Sequence, residues 1–112
     1  MKARNPGSQA GGQAAMLKKL QEMQEEMQRT QEEVESTDYV ASAGGGAVEA
    51  TVTGAKVVKD IKINPEVVDP EDVEMLQDMI IAAVNEALRK AEDAMTQGME
   101  RAKGGLSIPG LF

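Results

Sequence analysis

The chain has no cysteine, no histidine and no tryptophan, and its aromatic content is one tyrosine and one phenylalanine in 112 residues. Without cysteine there is no disulfide framework, thiol nucleophile or thiolate metal site. Without histidine the commonest general base and transition-metal ligand is missing. The scarcity of aromatics leaves no platform on which unpaired bases could stack. No stretch approaches the roughly 20 apolar residues that span a bilayer. Lys2 and Arg4 are followed by G-S-Q-A-G-G-Q and not by an apolar signal core. These absences predict a soluble cytoplasmic protein with no membrane association, no cofactor, no metal and no small-molecule substrate. Carboxylates are plentiful, but acids spread over solvated helices do not make a catalytic centre, so no enzyme activity is expected.

The apolar residues that are present are small or flexible: Ala, Val, Ile, Leu and eight Met. A chain of this length buries a modest core on its own, so a partner chain is expected. The net charge of −7 is unevenly spread. Residues 1–21 carry Lys2, Arg4, Lys18 and Lys19 and no acid. Residues 22–38 carry seven acids against Arg29 alone, and residues 66–86 carry seven acids and no base. Two internal blocks are therefore strongly acidic, and the two ends are basic or close to neutral.

Residues 1–13, rich in Gly, Ser, Gln and Pro, predict a flexible N-terminal arm. Met16, Leu20, Met23, Met27, Thr30 and Val34 then follow one another at spacings of four and three, the seam of a helix over residues 14–36. Tyr39-Val40-Ala41 predicts a short strand. In residues 47–53, Val48, Ala50 and Val52 alternate with Glu49, Thr51 and Thr53, the pattern of a half-buried antiparallel strand. A third strand is expected over 56–63, with Ile61 and Ile63 inward, ended by Asn64-Pro65. Asp69-Pro70-Glu71-Asp72 predicts a helix start with Asp69 as cap and Pro70 at the first helical position. A broad apolar stripe from Val73 to Met95 carries this second helix to about residue 103, where Gly104-Gly105 stops it.

Gly44, Gly45 and Gly46 raise the question of a phosphate loop. A Walker loop needs a Gly-Lys-Ser/Thr ending and a dinucleotide loop needs G-x-G-x-x-G ahead of a helix, and neither pattern is present. The triplet instead reads as a hairpin connection that supplies positive φ.

The expected architecture is α+β: a long helix, a three-stranded antiparallel sheet and a second long helix over residues 14–103, followed by an apolar tail over 104–112. Helices of about 35 and 50 Å, at 1.5 Å per residue, must project beyond so small a sheet. With antiparallel packing, the start of the first and the end of the second would meet at a distal tip. Lys18, Lys19, Arg89, Lys90, Arg101 and Lys103 would lie toward that tip, and the acidic blocks nearer the sheet. On charge alone these six residues make an ordinary solvated basic surface.

The ordered set M-L-K-K-L-Q-E-M-Q-E-E-M-Q, G-G-G-A-V-E-A-T-V-T-G, I-K-I-N-P-E-V-V, D-P-E-D-V-E-M-L-Q-D-M-I-I-A-A-V-N-E-A-L and P-G-L-F resembles the YbaB/EbfC family of bacterial nucleoid-associated proteins over residues 16–112. The resemblance implies a tweezer-like homodimer with paired sheets at its base and helical prongs. It also implies non-catalytic DNA binding, with those six basic residues as the candidate contacts to phosphates, location in the nucleoid and an effect on nucleoid organisation or gene expression. From the residues alone a second class stays open: an acidic, Met-seamed helical adaptor that binds another protein and touches DNA only indirectly.

Overall fold

The structure is a computed structural model that describes residues 6–104, with side chains from residue 12 onward. Helix α1 spans Pro6–Glu35 and is followed by strands β1 (Asp38–Ala43), β2 (Val48–Thr53) and β3 (Val58–Ile63). A 3-10 turn at Pro65–Val67 leads to helix α2, Val73–Ala102. The three strands form an antiparallel meander in the order β1-β2-β3. The expected α+β order of helix, three-stranded antiparallel sheet and helix is the one observed.

The core is built from small side chains. Val48, Ala50 and Val52 on one face of β2 are completely shielded from solvent, as are Ala83, Ala87 and Ala91 along α2. The inward set of β2 is thus the one its alternation predicts, and the alanine stripe of α2 lies against it. Leu76, Met79, Ile80, Val84 and Leu88 pack around this contact.

Helix α2 covers β1 and β2 but not β3. Ile61 and Ile63 pair with Ala50 and Val48, so they share the inward face. They nevertheless remain 36% and 37% exposed, and every residue of β3 is exposed. The expected inward placement of these isoleucines is correct in register and wrong in burial. A single helix is about 10–12 Å wide and strands repeat every 4.7–4.9 Å, so one helix does not span three strands. The register of β2 and β3 shifts between Thr51 and Val52, which leaves Lys59 as the extra residue of a bulge. Lys59 Nζ reaches Asp38 Oδ2 at 2.9 Å, joining β3 to the start of β1.

The glycine triplet is a hairpin connection. Gly44, Gly45 and Gly46 have φ of 65, 68 and 94°, and Ala47 N donates to Gly44 O at 3.3 Å. The next connection, residues 54–57, also has four residues. Lys56 takes φ 66° without being glycine, and its ammonium lies 3.6 Å from Glu92 of α2. At the end of α1, the hydroxyls of Ser36 and Thr37 donate to the carbonyls of Glu32 and Glu33 at 2.9 and 2.6 Å. There the helix presses on Gly54: a Cβ at that residue would stand 1.8 Å from Val34 O.

Three element boundaries differ from expectation: β3 begins at Val58 and not at Lys56, which belongs to the turn, and both helices start elsewhere. Helix α1 begins at Pro6, so residues 6–13 of the expected arm are helical; residues 1–5 lie outside the described residues. Proline is preset for a first helical position, and Gln9, Ala10, Gln13, Ala14 and Ala15 are adequate or good helix formers despite the glycines between them. Helix α2 begins at Val73, with Asp72 as its cap: Met75 N donates to Asp72 Oδ1 at 3.3 Å. Asp69 instead accepts from Glu71 N at 2.9 Å, holding Pro70 in the preceding turn. The apolar tail over 105–112 lies outside the described residues.

The two turn glycines make separable predictions. Gly54→Ala should destabilise the fold by about 1–3 kcal/mol through overpacking, because Val34 O is backbone and cannot swing away. Gly45→Val, whose Cβ would meet no atom within 4 Å, should cost about 1–3 kcal/mol through backbone strain alone. Urea denaturation of the two variants and the wild type checks both values.

Candidate nucleic-acid interface

The two helices run antiparallel once they leave the sheet, and glycine sets their closest approach. A Cβ at Gly98 would stand 2.7 Å from Thr30 Cγ2 and 3.7 Å from Val34 Cγ2. The seam read from the sequence faces this contact: Val34 is buried, and Thr30, Met27, Met23 and Leu20 are half-buried. It opens at Met16, which is 52% exposed. The reason is the end of α2. Lys103 and Ala102 line an open groove with Lys19, Met23 and Glu26, so α2 stops beside the middle of α1.

The start of α1 and the end of α2 therefore do not meet at a common tip, as the expected helix lengths required. Helix α1 starts earlier than expected, and residues 76–91 of α2 are spent on the sheet. About 20 Å of α1, residues 6–18 at 1.5 Å each, runs on past the end of its neighbour. The molecule measures 91 × 23 × 16 Å, and its radius of gyration is 23.2 Å. A compact domain of about 100 residues would have a radius near 13 Å.

The six candidate contacts fall into two groups. Lys19 and Lys103 line the groove at the end of α2, and Lys18 is exposed beside them on α1. Arg101 is exposed two residues before Lys103, its Nη2 3.9 Å from the Cβ position of Gly98. Lys18, Lys19 and Arg101 make no ion pair among the described residues. Arg89 and Lys90 do not join them. They sit beside the sheet, about 20 Å back along α2 from Lys103. Arg89 Nε donates to Glu86 Oε1 at 3.2 Å, and its Nη1 lies 3.6 Å from Asp93. The hydrogen bond from Arg89 holds the Glu86 carboxyl below the usual carboxylate range. Lys90 Nζ donates to the carbonyl of Val40 on the sheet edge at 2.8 Å. The distal placement expected for Arg89 and Lys90 fails because residues 76–91 of α2 are spent on the sheet and only the turns after them run along α1.

The acidic blocks are also less segregated than expected. The block in residues 66–86 does lie at the sheet, but the block on α1 extends along the paired helices. Glu22 and Glu26 line the same groove as Lys19 and Lys103. Arg29 is held by Glu26. The acid-free stretch of α1 is residues 6–21, and most of it projects past α2.

A second surface is made of apolar side chains left open to water. Val58, Ile61 and Ile63 of β3 and Val73, Met75 and Ile81 of α2 are all exposed, Ile81 to 56%. The signal was present in the width of the α2 stripe, which exceeds the alanine face that touches the sheet. Among the described residues, no group of three or more carboxylates is arranged to hold a metal ion, and no helix is long and apolar enough to cross a membrane.

Comparison with known proteins places this geometry in a wider group. A nucleoid-associated protein of Clostridium acetobutylicum is 51% identical over 106 residues, which is 95% of each chain. Nucleoid-associated proteins of Acetivibrio thermocellus and Alkaliphilus metalliredigens are 57% and 56% identical over 98 and 97 residues. These cover 87% of this chain and 87% and 85% of those relatives. An uncharacterized protein of Helicobacter pylori, known from its crystal structure, shares the fold with a TM-score of 0.57 at 24% identity, over 70% of this chain and 90% of that one. Residues 10–106 match the YbaB/EbfC DNA-binding family from before Met16 to beyond Lys103, and the chain belongs to that family.

Proposed function

We propose that this is a non-catalytic nucleoid-associated protein that binds duplex DNA as a homodimer, mainly through the phosphate backbone, and so influences nucleoid organisation or gene expression. The observation that carries the reading, beside family membership, is the gathering of Lys18, Lys19 and Lys103 where α2 ends, at the start of the acid-free part of α1. Each lysine brought to a phosphate releases condensed counterions, which favours binding without any base contact. Arg101, two residues before Lys103, adds a fourth cation. Arg89 and Lys90 are committed to Glu86, Asp93 and Val40 and contribute at most to the field at the root of the helices.

Dimerisation is supported by what one protomer leaves uncovered. Strand β3 is an edge with exposed Val58, Ile61 and Ile63, and Ile81 of α2 is exposed as well. An open apolar edge strand is a template for pairing with a second chain. Ile61 and Ile81 are the informative positions, because Ile80 and Val84 already pack on the protomer's own core. Ile81→Asp and Ile61→Asp should weaken the dimer by several kcal/mol, since each places an unpaired charge in the buried contact. Sedimentation at micromolar concentration should show the wild type as a dimer and both variants as folded monomers. A monomeric wild type overturns the dimer.

If each protomer neutralises about two or three phosphates, a dimer makes about four to six contacts, and log K against log salt should have a slope near −4 to −5. Replacing Lys18 and Lys19 with Ala should flatten that slope and weaken all sequences alike. Replacing Glu32 and Glu33 with Gln, near the sheet end of α1, should leave binding unchanged or slightly stronger. Titrations of the three proteins at two salt concentrations check this. If the lysine pair proves silent and the glutamate pair abolishes binding, the acidic face is the functional one and the protein is an adaptor.

A further inference from the structure

We propose that residues 6–18 of α1, the part that runs past the end of α2, enter the major groove of DNA as a single helix, with Gln13 meeting base edges and Lys18 and Lys19 meeting the flanking phosphates. This deepens the DNA-binding reading and rests on it.

The first argument is steric. The major groove is about 12 Å wide and admits one α-helix, which is about 10–12 Å across with its side chains. Two helices packed side by side have axes about 8–10 Å apart and are too wide together. Over residues 19–34, α1 is accompanied by α2 and can reach only the rim of the groove. Past Lys19 it has no neighbour among the described residues, for a length of about 20 Å. That length matches roughly six base pairs of the duplex at 3.4 Å each.

The second argument is electrostatic. Residues 22–35 of α1 hold six acids, which would be repelled from a groove walled by phosphates. Residues 6–21 hold none. Two adjacent lysines without ion pairs sit at the root of this stretch, where a helix in the groove passes between the phosphate rims.

The third argument is chemical. Gly12, Gln13, Ala14, Ala15, Met16 and Leu17 are all exposed, and nothing stands within 4 Å of a Cβ added at Gly12. Glycine and alanine allow close approach of the helix to the base edges. Glutamine pairs with N6 and N7 of adenine, and alanine makes apolar contact with the methyl group of thymine. A second helix is a poorer occupant of this face. Extending the apolar seam backward from Met16 leads to Gln13 and Gly12, which offer no further knob for a helix partner.

The test compares the full-length wild type with Gln13→Ala on an A·T-rich duplex and on its counterpart containing 7-deazaadenine. That change removes the N7 acceptor from the major groove and leaves the minor groove intact. The wild type should lose about 3- to 10-fold in affinity on the modified duplex. Gln13→Ala should bind both duplexes equally and keep the salt slope of the wild type, which a variant merely damaged in its fold would not. Methyl green, a major-groove ligand, should displace the wild type, and distamycin, a minor-groove ligand, should not. The proposal is overturned if the wild type binds both duplexes equally, or if distamycin alone displaces it. It is also overturned if Gln13→Ala changes self-association and not DNA binding, since the helix would then pair with a second copy. If the wild type binds neither duplex, the DNA-binding reading falls together with it.

Discussion

The contact on which everything else depends is the stripe of Ala83, Ala87 and Ala91 laid on Val48, Ala50 and Val52. Alanine lets the helix axis lie close to the sheet, and the six side chains are completely buried. Close packing over a small area buries little apolar surface, and the valines at 48 and 52 are the largest side chains fully closed off. At about 25 cal/mol per Å² such a core contributes modestly. The isoleucines of β3 and Ile81 of α2 would add more if a second surface covered them. The thinness of the protomer core and the open apolar edge are thus two sides of one choice of small residues, and together they favour the dimer proposed for this chain.

From that core the direction of the helices follows by two close approaches. Gly54 admits the carbonyl of Val34, and Gly98 admits the methyl of Thr30. The first anchors the C-terminal end of α1 to the β2–β3 turn. The second holds the last turns of α2 along it. Gly54 lies far from the lysines at the distal end, yet it helps decide where they stand, because a rigid helix carries a small change of angle at its root into a large displacement at its tip. Thr30 is a seam residue of α1 at the place where Met would be too long for the gap, which gives the one polar member of the seam a steric reason.

Periodicity made much of this legible in the sequence. The alternation of β2, the seam from Leu20 to Val34 and the glycine hairpin each depend on local pattern, and local pattern was enough. What failed depended on competition or on counting. Asp69 and Asp72 are both good caps, and only the tertiary position of the helix selects Asp72, with Asp69 left to hold the turn around Pro70. Pro6 starts α1 because the helix downstream is already formed, so the glycines at 7, 11 and 12 are tolerated where composition alone suggested an arm. Once that start was misplaced by eight residues, the tip was misplaced too; Arg89 and Lys90 stand about 20 Å from Lys103 for a different reason, that their stretch of α2 packs on the sheet. Exposure of Ile61 and Ile63 was beyond reach of any pattern in β3, since it depends on how far across the sheet a single helix extends.

An acidic protein that binds a polyanion looks contradictory only if its charge is treated as a point. At physiological ionic strength the Debye length is about 8 Å, and exposed charges much farther apart than this hardly feel one another. Glu32 and Glu33 are about 20 Å from Lys19 along α1, and the acids of residues 66–86 lie at the sheet, so neither group opposes a phosphate held at the distal end. Glu22 and Glu26, at about 5 and 10 Å along the same helix, do oppose it. The potential therefore changes sign within one or two turns of Lys19, and it favours an anion on the side toward Pro6. A body of 91 Å in its long dimension can present opposite signs at its two ends. The acidic end then discourages DNA from wrapping the sheet, which keeps the apolar edge of β3 open for the second protomer proposed for this chain.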